Sequence, residues 1–464
     1  MLFSSPAFFV FFLVYFVFHL LVPRRHRIFL IICGSTVFYA WWRLEYAWLP
    51  YLLMAIAYGG VVGLERVSGR TARKALVIAT IFALFLPLAV FKYTNFLYGQ
   101  VLAPLFDWHG TLLELPLPLG ISFVTFTLTA FVVDSYRGKF PAGQRASTVL
   151  AYVLFFPHLI AGPILRPAEL IPQLERPRGA TLRHLAVPLA IFTTGLVKKL
   201  VFADQIAQAV DIVYGSSGVS APSALLAIYG FGAQIYCDFS GYTDMAIGLA
   251  LLLGVRLPNN FSRPYAAGSL VEFWRRWHMT LSFWLRDYLY FPLGGNRHGR
   301  LRQVRNILIT MTLGGLWHGA AWTFVLWGAL HGVGVTAVHF LRQAPMLAAA
   351  RAMPRWLGVV LTFHFVTFAW VLFRAPSLSK AAGIVAALYT GGWDDAAAFA
   401  THNAFVLALI GVFLAVHRFD DHQRIEAAVR RTRGEILWPL LALLWVLAIT
   451  VSQGSSAKFI YFDF

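Results

Sequence analysis

Residues 75–92 read ALVIATIFALFLPLAVFK, an apolar run whose only charged residue, Lys92, is its last. A helix crosses the hydrocarbon core of a bilayer with roughly 17–25 such residues. Comparable runs lie near residues 5–22, 28–63, 119–136, 146–163, 185–203, 222–254, 306–341, 356–374, 403–417 and 436–452. The chain is 59% hydrophobic and 12% charged, against about 25% charged in an average soluble domain. These features predict an all-α polytopic membrane protein with about ten to twelve crossings.

The polar segments between the apolar runs are too short to fold independently. We therefore predict a single membrane-embedded domain over residues 1–464, with N-terminal helices in 1–118, a core in 119–341 and C-terminal helices in 342–464. Prolines and a glycine interrupt the apolar pattern at Pro157, Gly162, Pro163, Pro167 and Pro172. They predict a re-entrant or broken segment that is buried by protein.

Positive charge follows the ends of the apolar runs. The cluster Arg24-Arg25-His26-Arg27 and the basic stretch between Glu65 and Lys74 are both expected on the cytoplasmic side, which places the N-terminus outside. We expect the first apolar run to be retained as a span, because no basic region precedes it. The formal charge of +18 is explained by orientation and by anionic lipid headgroups, and no nucleic-acid partner is predicted.

A histidine lies deep in the apolar stretch 306–341. His318 occurs in the block Gly314 to Phe324, and an ionisable group at that depth is a candidate functional residue. His331 follows 13 residues later, which is about 220° further round a regular helix. Unless the helix breaks near the glycines beside His318, the two histidines should face different directions. From the residues alone, a structural role for His318 stays open.

The segment Leu270 to Pro292 has the periodicity of an amphipathic helix suited to the membrane interface. At 100° per residue, one side collects Trp274, Trp277, Leu281, Trp284, Leu285 and Tyr288, and the other Glu272, Arg275, Arg276, Arg286 and Asp287. His278 falls at the flank of the aromatic side. Further arginines, including Arg297 and Arg300, follow it and predict a cytoplasmic loop. Since guanidinium groups bind phosphate, this loop is also suited to a phosphate-bearing donor or an acidic carrier protein.

Two carboxylates, Asp238 and Asp244, interrupt another apolar run. Buried and unpaired they would be costly, so we expect them to pair with cations, and Lys198 and Lys199 are candidates. A structural ion pair and a chemical role both remain open. The sequence predicts no metal site, and Cys33 and Cys237 are expected to be buried structural thiols. Nucleophile-elbow, P-loop and zinc-protease motifs do not occur, so Ser-triad hydrolysis, ATP-driven pumping and zinc proteolysis are unsupported.

Several long motifs occur in a characteristic order along the chain. They are Pro157–Ile164, Tyr236–Gly248, Asn259–Tyr265 leading into Phe273–His278, Gly314–Phe324 and the terminal Phe459–Phe464. In these motifs the chain resembles the membrane-bound O-acyltransferases (MBOAT family), and within them the bacterial branch that O-acetylates polysaccharides such as alginate. The resemblance spans most of the sequence.

This resemblance implies a ring of about ten to twelve transmembrane helices around a central tunnel or funnel, with re-entrant and interfacial amphipathic helices. His318 matches the catalytic histidine of the family, and His278 matches its second characteristic histidine. As general base, His318 would remove a hydroxyl proton during attack on a thioester. No role is implied for His331, His339 or His364, which we interpret as structural.

The acetylating relatives imply acetyl-CoA as the donor substrate, with an acylated carrier protein as the alternative and no tightly bound cofactor. Arg275, Arg276, Arg297 and Arg300 are the candidate donor-binding residues. The expected partners are a periplasmic or membrane-anchored acetyl-transfer protein and a polysaccharide acceptor, at a bacterial inner membrane. A proton-coupled transporter or flippase, a non-catalytic scaffold of an envelope polysaccharide machine, and a lipid or sterol acyltransferase remain as alternatives.

Overall fold

A computed structural model describes residues 1–107, 110–113, 115–160, 162–176, 185–343, 353–453, 456–457 and 459–460. Every regular element in these ranges is a helix, which confirms the predicted all-α class. Contacts between residues divide the chain into two compact units, residues 1–189 with 246–258 and residues 190–245 with 259–464. The single domain predicted over 1–464, and its subdivision at 118 and 341, stay predictions.

The described residues of the first unit form eight α-helices besides short 3-10 turns. They are α1 (Pro6–Leu21), α2 (Arg27–Ala40), α3 (Leu49–Arg66), α4 (Arg70–Phe106), α5 (Ile121–Tyr136), α6 (Ala146–Leu154), α7 (Phe156–Leu159) and α8 (Pro167–Glu175). The residues at its start explain where α1 begins. Pro6 has no backbone N–H, and the first turn of a helix has no intrahelical acceptor for one. The Ser5 hydroxyl caps the helix by accepting a hydrogen bond from the Phe8 amide at 3.3 Å. On α2, Cys33 is exposed, so its predicted burial is wrong because it lies on the outward face of this helix.

The second unit holds the helices that carry the candidate site, although residues 186–189 and 246–252 of two of them belong to the first unit. They are α9 (Ala186–Gly215), α10 (Ala221–Leu225), α11 (Phe231–Leu252), α12 (Leu270–Trp274), α13 (Met279–Leu285), α14 (Arg300–His318), α15 (Trp322–Gln343), α16 (Arg355–Arg374), α17 (Leu378–Thr390), α18 (Ala396–His402), α19 (Ala404–Val416), α20 (His422–Arg431) and α21 (Gly434–Ser452). Wider π-helical turns occur at Lys198–Ala203, Leu226–Gly230 and Arg286–Tyr290.

Six helices in the described residues are long and apolar enough to cross a membrane, and a seventh span results if the bent pair α18 and α19 is counted as one. The protein is therefore a multi-pass membrane protein. The predicted runs 5–22 and 119–136 fold as the shorter apolar helices α1 and α5, and a further short apolar helix, α17, was not predicted. The count of ten to twelve crossings, and the ring around a tunnel, are not tested and stay predictions.

The proline-rich segment of the first unit is broken and buried, as predicted. After α6 the chain forms only the single turn α7, and Pro157, His158 and Leu159 are all buried. Side chains pair with backbone groups that have no partner within a helix here. The Tyr152 hydroxyl donates to the Leu165 carbonyl at 2.8 Å, and the Phe156 amide donates to Ser35 Oγ at 3.2 Å. Ala161 lies outside the described residues.

Helices α14 and α15 form a tight antiparallel hairpin. Its contact surface contains Gly315 and Gly328, whose α-carbons face each other. A Cβ atom added at Gly315 would lie 3.0 Å from the Gly328 α-carbon and would clash with the carbonyl oxygen of Phe324. Small residues let two helix backbones approach this closely in a membrane. The hairpin therefore fixes His318, at the end of α14, against α15.

Candidate active site

His278 interrupts the helix predicted over Leu270 to Pro292. The helix α12 ends at Trp274, α13 begins at Met279, and His278 between them has a left-handed backbone with φ 41° and ψ 54°. The interruption has a physical cause, because the chain pairs here with an upstream loop. The Ser262 amide donates to the Arg276 carbonyl and the Met279 amide to the Asn260 carbonyl, both at 2.9 Å. The prediction of one continuous amphipathic helix is therefore wrong. Because the helix is interrupted, the residues assigned to its aromatic and charged sides do not form two continuous faces.

Asn260 determines the protonation of the His278 ring. The Asn260 side-chain oxygen accepts from the Thr280 amide at 3.2 Å and from the Thr280 hydroxyl at 2.9 Å, which identifies it as the oxygen. His278 Nδ1 lies 3.2 Å from this same oxygen, so Nδ1 must carry the hydrogen. The other nitrogen, Nε2, therefore presents a lone pair. It is buried, with no hydrogen-bond partner in the described part of the chain.

Burial also keeps this imidazole neutral. His278 has no exposed surface, and removal from solvent lowers its pKa to about 3. A neutral ring with a lone pair on Nε2 accepts a hydrogen bond at physiological pH. His278 is thus in the form that a hydrogen-bond acceptor requires.

His318 ends α14 and lies among aromatic rings in the same unit. Its ring centroid is 4.9 Å from that of Trp317, 5.2 Å from Phe373 and 5.4 Å from Trp327. The His278 ring lies 6.4 Å away, and both histidines are buried. The structure therefore brings the two histidines of the predicted catalytic pair next to each other. Their catalytic roles stay predictions.

The predicted separation of His331 from His318 applies only to an unbroken helix, and the helix breaks beside the glycines, which is the exception that the prediction named. The helix ends at His318 and restarts at Trp322, so the 220° rotation does not apply. Both rings pack on Trp327, His331 at 4.8 Å between centroids. Their chemistry differs, because the Trp274 indole donates to His331 Nδ1 at 3.3 Å. The His331 hydrogen is therefore on Nε2, opposite to the arrangement at His278.

The four candidate donor-binding arginines do not occupy equivalent positions. Arg275, Arg297 and Arg300 are exposed. Arg276 is half-buried, forms a salt bridge with Glu272 and donates to the Arg263 carbonyl at 3.4 Å. Its contacts hold the loop before α12 in place. Donor binding by these residues stays a prediction.

The buried carboxylates pair with the two lysines as predicted. Lys198 Nζ lies 2.7 Å from Asp244, and Lys199 Nζ lies 2.6 Å from Asp238. Each lysine has a second carboxylate, Asp420 at 2.6 Å from Lys198 and Asp204 at 2.7 Å from Lys199. The π-helical turn at Lys198–Ala203 carries both lysines to separate acidic pairs. Buried charges arranged in this way are satisfied by one another.

Sequence reasoning missed Asn260, Asp420 and His422. His422 Nε2 lies 2.7 Å from Asp244, and its Nδ1 lies 2.8 Å from the Asn259 side-chain oxygen. Burial lowers the pKa of His422, but the Asp244 carboxylate outweighs burial and leaves that pKa above its ordinary value. The paired asparagines at 259 and 260 were a usable signal, because adjacent amides in an apolar region need partners.

The C-terminal segment reaches the same region. The Ile460 amide donates to Asp238 at 2.7 Å, and the Phe459 ring packs on Phe239, which in turn contacts the His278 ring at 4.7 Å between centroids. Residues 461–464 of the predicted terminal motif lie outside the described residues. Phe459 is thus linked to His278 through one aromatic ring, and Ile460 is bonded to Asp238.

Comparison with known proteins identifies similar chains. The sequence model of the membrane-bound O-acyltransferase family matches residues 145–375. The probable alginate O-acetylase AlgI of Azotobacter vinelandii is 40% identical over 400 residues, covering 85% of this chain and 79% of the relative. The peptidoglycan O-acetyltransferase of Helicobacter pylori is 36% identical over 417 residues, covering 82% and 78%. The teichoic acid D-alanyltransferase of Bacillus subtilis is 29% identical over 273 residues, covering 55% and 68%.

Proposed function

Since the chain belongs to the membrane-bound O-acyltransferase family and is a membrane acyltransferase, we propose that it O-acetylates an exported polysaccharide such as alginate. The acetyl group comes from a cytoplasmic thioester and crosses a bacterial inner membrane. The observation that carries the proposal is the buried pair His278 and His318, with ring centroids 6.4 Å apart. Ionisable residues inside a membrane protein are rare, and two of them side by side are a candidate functional site.

In the proposed reaction, neutral His318 removes the proton of an acceptor hydroxyl as its oxygen attacks the thioester carbonyl. A carbon–oxygen bond forms, the tetrahedral intermediate collapses, and the carbon–sulfur bond breaks. The imidazolium returns its proton to the leaving thiolate, so the ring is regenerated. His278, with its Nε2 lone pair, accepts a hydrogen bond from the same acceptor or relays its proton.

The donor is acetyl-CoA or an acylated carrier protein, and no tightly bound cofactor is required. The exposed guanidinium groups of Arg275, Arg297 and Arg300 suit the phosphates of the first and the acidic surface of the second. Arg276 positions its loop through Glu272. The immediate acceptor is a hydroxyl on a periplasmic or membrane-anchored partner protein that passes the acetyl group to the polysaccharide.

The transporter hypothesis places a proton or substrate pathway through His278, His318, Asp238 and Asp244. Both carboxylates are held by lysines at 2.6–2.7 Å, an arrangement typical of structural charge pairs. The relatives named as acetylating alginate and peptidoglycan further support transfer over transport. We therefore propose acyl transfer and not transport as the function.

The test is His318→Ala in purified protein reconstituted into proteoliposomes. General-base catalysis contributes ~10²–10⁴ in rate, so the variant should lose transfer of labelled acetyl groups by at least a hundredfold while inserting normally. Thiol release from acetyl-CoA and label in the acceptor are both measured. His364→Ala is the matched control, because His364 is exposed and bonds only within its own helix. Wild-type transfer by His318→Ala would rule out the assignment of His318 as the base.

A further inference from the structure

A cavity of about 320 Å³ lies in the second unit, away from any role proposed so far. Its wall is mainly apolar and includes Phe202, Phe413, Val416, Phe419, Ile425 and Leu444. These side chains come from α9, α19, α20, α21 and the turn between α19 and α20. The volume lies within the range of small-molecule sites, roughly 300–1,000 Å³.

The charged groups at the polar end of this cavity are paired with one another. Lys198 and Asp420 line it, and Lys198 lies 2.6 Å from Asp420 and 2.7 Å from Asp244. Asp244 also lies 2.7 Å from His422, and Arg263 pairs with Asp421. Lys198 is therefore already engaged by two carboxylates and is not the cation that would hold an anionic ligand.

Two arginines next to the cavity-lining Phe419 take no part in these charge pairs. The Arg418 and Arg424 guanidinium carbons lie 4.6 Å and 5.6 Å from the centroid of the Phe419 ring, which also lines the cavity. Both arginines are exposed, and neither has a carboxylate at salt-bridge distance among the described residues. Stacking on Phe419 fixes the two guanidinium groups where the apolar wall meets the surface.

Helix α20 has the character of a segment at the membrane interface. Ile425 lines the cavity and Val429 is buried, while Arg424, Arg430 and Arg431 are exposed. Short helices with one apolar face and arginines on the other lie at headgroup depth. A cavity opening beside such a helix is at the level where lipid phosphates and the first acyl-chain carbons are found.

We propose that this cavity binds one anionic phospholipid, with an acyl chain against the apolar wall and the phosphate on Arg418 and Arg424. Guanidinium groups bind phosphate oxygens through paired hydrogen bonds and are more weakly hydrated than ammonium groups. The apolar chain accounts for the cavity, and the two surplus cations account for the charge of the headgroup.

The experiment uses native mass spectrometry on the delipidated full-length protein, titrated with phosphatidylglycerol or with zwitterionic phosphatidylcholine. Wild-type protein should bind one phosphatidylglycerol more tightly than phosphatidylcholine. Two arginines near a lipid headgroup correspond to about a thirtyfold change in affinity. The double variant Arg418→Ala/Arg424→Ala should lose about that factor for phosphatidylglycerol alone.

Three controls make the outcome decisive. Arg431→Ala/Arg433→Ala removes the same charge without touching Phe419 and should bind like wild type. Ile425→Trp narrows the cavity and should weaken binding, whereas Ile436→Trp, on an exposed position that does not line it, should not. Glycerol 3-phosphate should not compete, because it lacks the chain. Equal loss in both arginine pairs, competition by glycerol 3-phosphate, or no preference for phosphatidylglycerol would each overturn the proposal.

Discussion

At His278, one amide oxygen decides which ring nitrogen carries the proton. The Asn260 side chain accepts from Thr280 twice and from His278 Nδ1, so the lone pair is directed through Nε2. At His331 the Trp274 indole produces the opposite arrangement. The two histidines are equally buried, yet only His278 presents a base at Nε2.

We predict that Asn260→Ala lowers kcat by roughly a hundredfold, because the His278 ring loses its orientation and its fixed tautomer. Asn260→Asp keeps the oxygen but adds a buried negative charge, which raises the pKa of His278. Its activity should therefore approach wild type at alkaline pH and fall as the pH decreases, where the ring becomes protonated. Steady-state kinetics across a pH series measure both effects. The control is Asn403→Ala, since the Asn403 amide, between α18 and α19, donates to the Phe399 carbonyl four residues earlier and not to a histidine. A flat, wild-type-like profile for both Asn260 variants would contradict this role.

The residue-level prediction from sequence was uneven for a physical reason. His318 was singled out because an ionisable residue in an apolar run is visible by itself, and His278 was singled out by the family resemblance; their catalytic roles stay predictions. Asn260 was missed because its contact spans 18 residues through a returning loop. Helical periodicity describes neighbours three or four residues apart and does not report such pairings.

At the scale of elements, the close packing of α14 on α15 requires glycine at positions 315 and 328. We predict that Gly315→Ala destabilises the protein by about 1–3 kcal/mol, because the new methyl group meets backbone atoms of α15 that cannot move independently. The thermal melting midpoint in detergent measures the change. Gly383→Ala on α17 is the matched control, because a Cβ there meets nothing within 4 Å. Helix propensity alone should make the control neutral or slightly stabilising, and equal melting of the two variants would exclude close packing as the cause.

The predicted helix boundaries agree with the structure where the apolar run is continuous. They disagree where the backbone departs from a regular α-helix. Helices α4, α16 and α21 lie over predicted runs. The segment Leu270 to Pro292 broke at His278, whose φ of 41° no periodicity anticipates, and widened into a π-helical turn at Arg286–Tyr290. A rotation of 100° per residue applies only within an uninterrupted α-helix.

For the whole molecule, orientation in the membrane follows from the excess of basic residues. The basic clusters near Arg24 and Arg70 lie after α1 and after α3. Because both are predicted to be cytoplasmic, we expect α2 and α3 together to return the chain to the same side. We predict that Ser68→Cys is cytoplasmic and Leu44→Cys is external, because loops rich in Lys and Arg stay inside. Both positions are exposed.

An impermeant maleimide applied to intact spheroplasts tests this orientation in a Cys33→Ser background, with Cys237 buried. Leu44→Cys should be labelled directly, and Ser68→Cys only after the membrane is disrupted. The Cys33→Ser protein without an added cysteine gives the baseline. The reverse pattern would place the N-terminus in the cytoplasm.

The lysine pair of α9 also has a consequence for biogenesis. A lysine at the centre of a membrane helix costs about 2.5–3.5 kcal/mol on insertion, and α9 carries two with only Asp204 close by in its own sequence. Asp244 is synthesised 46 residues after Lys198, and Asp420 comes 222 residues after it. Helix α9 is therefore synthesised long before Asp420, the last carboxylate that pairs with Lys198. We expect the ion pairs of α9 to be complete only after the C-terminal helices have been inserted and have packed against it.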